Sequence, residues 1–173
     1  GLVSRYGKLF LGSENGVVYA LNEANGEVLW QTTVPGEVVA SPAVEDGRVV
    51  VLTTSGRLVA LDTDEGKLQW TLSEEQPPLT LRSAGAPIIT NGAVIYGRAD
   101  GKVGIALLSN GQPVRQSKVA DPRGATELDR MVDVDASPLI AGDELYAIAY
   151  NGQLMARKLM SGDEVWKRKY SGY

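Results

Sequence analysis

Asp133 and Asp135 flank a single valine. Alternate residues of an extended segment share a face, which would set the two carboxylates about 7 Å apart. That spacing suits a common basic group on a partner, a calcium ion held by oxygen ligands, or a pair of turn-forming aspartates ahead of a strand. A second constellation is Leu79-Thr80-Leu81-Arg82, directly after Pro77-Pro78. The prolines impose an extended entry, and alternation then sends Leu79 and Leu81 to one side and Thr80 and Arg82 to the other. An apolar pair beside a guanidinium has the composition of a protein-interface hot spot. The same leucines could instead fill the mouth of a channel while Arg82 is solvated or pairs with a carboxylate. The chain contains no histidine and no cysteine, so the commonest general base, the thiolate nucleophile and the commonest metal ligands are all missing. No catalytic residue, metal site or cofactor is assigned.

At 173 residues with 43% hydrophobic composition, the chain suits one domain with a substantial core. Seventeen basic against 21 acidic side chains give a net charge of -4, which disfavours nucleic acid as a partner because phosphate neutralisation needs a clustered basic surface. No apolar stretch approaches the roughly 18 residues needed to span a bilayer.

The frame that must position these residues is a repeat. Glycines recur in triplets: Gly7, Gly16, Gly26; Gly47, Gly56, Gly66; Gly92, Gly101, Gly111; Gly142, Gly152, Gly162. Each triplet separates strand-length apolar runs, and pairs such as Asp46-Gly47 and Asn91-Gly92 carry hairpin-turn chemistry. Runs such as Val49-Val50-Val51-Leu52 are apolar at consecutive positions, as expected of a sheet covered on both faces. The spacing therefore predicts an all-β chain, a β-propeller of four-stranded antiparallel blades at approximately 1–34, 41–72, 86–119 and 137–170, in one partial domain. The first unit begins inside its own pattern near Lys8 and is expected to be incomplete. Prolines 42, 87 and 138 mark the innermost strand starts of the other three. Trp30, Trp70 and Trp166 recur four residues after the third glycine and are read as structural plugs between blades. The third unit has Arg115 there, and its outer edge is expected to be the least tightly docked. Lys167-Arg168-Lys169 reads as a charged edge that blocks unwanted strand pairing.

Departures from the repeat locate the candidate site. Trp30 to Pro42 is 12 residues, Trp70 to Pro87 is 17, and Arg115 to Pro138 is 23. The two longer connections carry insertions at 73–85 and 120–135, and both should leave the same rim. The second holds five acids and two bases, and Thr126 with Asp129 resembles a capping box that predicts a short helical turn.

The phrases Val18-Tyr19-Ala20-Leu21-Asn22 to Trp30 and Leu58-Val59-Ala60-Leu61-Asp62 to Trp70 resemble the repeat of pyrroloquinoline-quinone-type propellers. Leu79-Thr80-Leu81-Arg82, Thr126-Glu127-Leu128-Asp129-Arg130, Asp133-Val134-Asp135 and Ala149-Tyr150-Asn151-Gly152 resemble the BamB family, periplasmic lipoproteins of the β-barrel assembly machinery of Gram-negative outer membranes. The resemblance implies a non-enzymatic scaffold of about eight blades at the periplasmic face of the outer membrane. Its implied partners are the periplasmic domains of the insertase BamA, other components of the assembly complex, and unfolded outer-membrane proteins. It further implies that Leu79, Leu81, Arg82, Asp133 and Asp135 contact BamA. The chain holds about half the expected blades and no lipid-modified cysteine, so it is expected to be a fragment whose membrane anchor lies elsewhere and which either self-associates through bare blade faces or has loosely ordered terminal blades. A quinone-dependent dehydrogenase is the rival reading, requiring calcium and a poised base. A carbohydrate-binding propeller would need exposed aromatics, which neither insertion contains.

Overall fold

The computed structural model describes residues 1–81, 84–123 and 125–170. Arg82 of the candidate site lies outside the described residues. The glycine spacing resolves into four sheets of four strands among those residues. The first comprises β1 (Leu2–Arg5), β2 (Lys8–Gly12), β3 (Val17–Asn22) and β4 (Val28–Thr33). The second comprises β5 (Ala43–Glu45), β6 (Arg48–Leu52), β7 (Arg57–Asp62) and β8 (Leu68–Ser73). The third comprises β9 (Ile88–Thr90), β10 (Ala93–Gly97), β11 (Lys102–Leu107) and β12 (Pro113–Lys118). The fourth comprises β13 (Leu139–Ala141), β14 (Glu144–Ile148), β15 (Gln153–Lys158) and β16 (Glu164–Lys169). Each sheet is an antiparallel meander in chain order, and the short innermost strand β5 lies against both β1 and β9.

The first unit is complete rather than truncated. Leu2 to Arg5 pairs with Leu11 to Lys8. The hairpin turns on Tyr6-Gly7, where both residues have positive φ, 54° and 69°. Asp46-Gly47 and Asn91-Gly92 make the equivalent turns, with φ of 47° and 71°, and 49° and 72°. Tyrosine is an unusual occupant of that conformation, which favours Asn, Asp or Gly, and it concealed the turn in the sequence.

Consecutive apolar residues serve two interfaces. Along β6, Val49 and Val51 enter the core shared with the first sheet, while Val50 and Leu52 enter the core shared with the third. The fourth sheet shows the one-sided version, since Leu145 and Ala147 of β14 are buried against the third sheet and their neighbours are only half-buried. Every pairing of a third strand with its fourth is interrupted by a register shift at the same place: Ala20/Leu21, Ala60/Leu61, Ile105/Ala106 and Ala156/Arg157. The irregularity thus recurs at the same position of each unit, where a bulge would bend the strand.

Trp30 and Trp70 reach from one sheet to the next. Trp30 Nε1 donates to Thr63 O at 3.1 Å and Trp70 Nε1 donates to Leu108 O at 2.8 Å, each in the following sheet. Each indole lies over that sheet's third glycine: a Cβ on Gly66 would sit 2.5 Å from Trp30 Cε3. Arg115 keeps the position without the burial, its Nη1 donating to Met160 O at 3.1 Å. Of β12 only Ser117 is buried. Trp166 is half-buried and packs on Tyr146 of its own sheet at 6.0 Å between centroids, as Trp30 packs on Phe10 at 6.0 Å, and it lies on the face that no described sheet covers.

Candidate functional site

The two long linkers meet on one rim. Leu81 N–H donates to Asp133 Oδ2 at 2.7 Å, and Ala86 N–H donates to Ser137 Oγ at 2.8 Å, so residues more than 50 positions apart are tied together. Pro77, Pro78 and Leu79 from the first linker and Pro122, Glu127 and Val132 from the second line a shared cleft of about 220 Å³. Leu79 stands at this cleft, 41% exposed, and Leu81 is half-buried beside Asp133.

The capping pair forms as expected, with Asp129 N–H donating to Thr126 Oγ1 at 3.1 Å and Thr126 N–H donating to Asp129 Oδ2 at 3.2 Å. The chain then makes the short helical turn that the spacing predicts, Arg130 N–H also reaching Thr126 O at 3.3 Å. Arg130 N–H reaches Glu127 O and Met131 N–H reaches Leu128 O, both at 3.2 Å, after which the backbone becomes extended. Met131 is buried beneath the turn and Leu128 is exposed.

The two aspartates are not presented alike. Asp133 is buried, at 3% exposure, whereas Asp135 is half-buried and shares a cleft with Tyr150. Exposure of the pair on one face is therefore corrected by the structure, and the reason is the backbone. Val134 N–H donates to Arg98 O at 3.0 Å and Tyr150 N–H donates to Asp133 O at 2.8 Å. In the short first connection, Val38 N–H donates to Ser13 O and Thr54 N–H to Glu37 O in the same pattern. Val134 thus repeats the plug made by Val38, and this staple holds Asp133 where its side chain turns inward under Leu81. Burial pushes the Asp133 carboxyl above its ordinary range, the Leu81 N–H opposes the shift, and the Asp135 charge adds to it. Among the described residues no group of three or more Asp, Glu, His or Cys side chains converges as a metal cage.

Sequence reasoning missed a polar cluster beneath the rim. Tyr96 Oη donates to Glu74 Oε1 at 2.5 Å, and Arg98 bridges Glu74 and Asp100 through Nη1 at 2.5 Å and Nη2 at 2.8 Å. Burial and the Glu74 carboxylate push the Tyr96 phenol upward, keeping it a donor. A signal was present. Ser13 and Thr53, at the position of Arg98 in the first two units, cap their own turns through Val17 N–H and Arg57 N–H. Arginine cannot accept such a bond, so its presence at a turn-capping position marks a different role. Glu74, Tyr96, Arg98, Leu81, Asp133 and Asp135 surround a small cavity of about 30 Å³.

A family model described as outer membrane protein assembly factor BamB matches residues 1–173. The chain belongs to the BamB family. A BamB of Shewanella oneidensis is 42% identical over 173 residues, covering all of this chain and 44% of that protein. The BamB of Vibrio cholerae is 47% identical over 210 residues, covering 96% of this chain and 54% of that protein. The chain thus spans about half the length of the curated BamB relatives it matches. The crystal structure of BamB from Moraxella catarrhalis superposes with a TM-score of 0.93 at 26% identity, over 99% of this chain and 53% of that one. That match makes the four sheets blades of a BamB-type propeller. A quinohemoprotein alcohol dehydrogenase from Comamonas testosteroni matches with a TM-score of 0.78 at 19% identity, over 97% of this chain and 34% of that one, a likeness of fold alone.

Proposed function

We propose that this chain acts as a non-enzymatic scaffold in outer-membrane protein assembly, docking the periplasmic domains of BamA on the rim built by its two long linkers. It would do so at the periplasmic face of the outer membrane. The observation that carries the reading is the meeting of the two insertions, within a chain matched along its whole length by the assembly-factor family. Repeated blades supply the stack, and the linkers supply what the repeat does not: an exposed leucine, a proline-lined cleft and the half-buried carboxylate of Asp135 beside Tyr150. Leu79, Leu81, Arg82 and Asp135 are the proposed contact residues.

The test is Leu79→Glu combined with Asp135→Lys in the full-length protein, with affinity for the soluble periplasmic region of BamA measured by calorimetry. Placing a charge on an interface leucine and reversing a rim charge should weaken binding at least tenfold, with the unfolding midpoint held. Unchanged affinity in a folded double variant removes the rim as the docking surface.

A further inference from the structure

We infer that Asp133 is a positioning residue: its buried carboxylate latches the loop carrying Leu79 and Leu81 onto the second linker, and it acts on partner binding through that loop. The inference deepens the docking reading and rests on it for the partner.

Neither oxygen of Asp133 is available to an incoming group. Oδ2 is occupied by the Leu81 N–H at 2.7 Å, and Oδ1 is enclosed with no hydrogen-bond partner. A lysine or arginine on a partner would have to displace the loop before reaching either atom. The loop in turn needs the carboxylate. Residues 74–81 form no strand, so the Leu81 N–H has no ladder to join, and a part-buried donor without an acceptor is costly. A charged acceptor at 2.7 Å meets that need more strongly than a neutral one.

The repeat provides an internal control. Glu37 occupies the position of Asp133 in the short first connection, and there its carboxylate accepts from Thr54 Oγ1 at 3.4 Å in the neighbouring turn. At the same backbone position Asp133 instead accepts a backbone N–H from a linker 52 positions away. The shorter aspartate side chain is held by the Val134 and Tyr150 staple, so its direction is set by backbone bonds and not by a flexible stem.

The experiment uses the full-length protein with Asp133→Asn and Asp133→Ala, and with Asp133→Ser as the alternative truncation should alanine fail to fold. Two quantities are read: amide hydrogen exchange of the 79–81 segment in the free protein, and affinity for the periplasmic region of BamA. Asparagine keeps an oxygen for the Leu81 N–H while losing the charge, so exchange and affinity should both stay within about threefold of the parent. Truncation should speed exchange in the segment at least tenfold and weaken binding by a similar factor. Loop order and affinity must move together. A folded variant that keeps the segment protected yet loses binding makes Asp133 a direct contact and overturns the proposal, as does a truncation that leaves protection unchanged. The exchange measurement needs no partner. A loosened loop alongside intact binding in the Leu79 and Asp135 double variant would remove the docking reading while leaving the latch in place.

Discussion

Gly92 and Gly111 stand in one blade with the same left-handed backbone, φ of 72° at each, but different surroundings. A Cβ on Gly92 would meet nothing within 4 Å, whereas one on Gly111 would fall on the Trp70 ring, well inside the 3.0 Å that real Cβ atoms respect. Alanine at Gly92 therefore bears only the cost of a left-handed L-residue, about 1–2 kcal/mol. Alanine at Gly111 bears the same cost plus that of displacing a buried indole whose Nε1 bonds the Leu108 carbonyl, which adds about 1–3 kcal/mol of overpacking. Urea unfolding of the two variants should show midpoints separated by that difference, with slopes unchanged. In a Trp70→Leu background the ring is gone and the excess at Gly111 should vanish. Equal losses at the two glycines, to within about 0.5 kcal/mol, would mean that the tryptophan does not seat on the following blade as described and would refute the inter-blade account of the repeat.

Arg115→Trp restores the residue of the preceding units above Gly162, and the added aromatic burial should raise stability by about 1–3 kcal/mol in denaturant unfolding; a loss would show that the third interface is shaped for arginine. Asp133 has a carboxyl whose folded pKa lies above the ordinary 3.8, so folding takes up a proton between the two values, and ionisation costs stability above the folded pKa. The stability of the parent relative to Asp133→Asn should therefore rise as pH is lowered through that window and level off below 3.8; paired unfolding curves across pH check the sign, and a fall on acidification contradicts it.

Much of the architecture was legible because it is periodic. The Val49 to Leu52 run announces a sheet covered twice, and the structure divides those four residues between two cores. Trp30 and Trp70 were legible as inter-blade plugs for the same reason. The turn at Tyr6-Gly7 was not, since its first residue lacks the usual turn chemistry, and the complete first blade was hidden with it. The capping pair at Thr126 and Asp129 and the short turn it opens could be read from their spacing, but which apolar residue of the turn is buried could not: Met131 is and Leu128 is not.

By itself the sequence determined the repeat, the two-faced sheets and the two places where linkers outgrow the pattern, because each depends on local spacing. Only the tertiary structure decided that Asp133 faces inward while Asp135 lies nearer the surface. The direction of a carboxylate depends on which distant backbone donor lacks an acceptor, and the Leu81 N–H becomes that donor only when its linker and that of Asp133, 52 positions on, are folded onto the same rim.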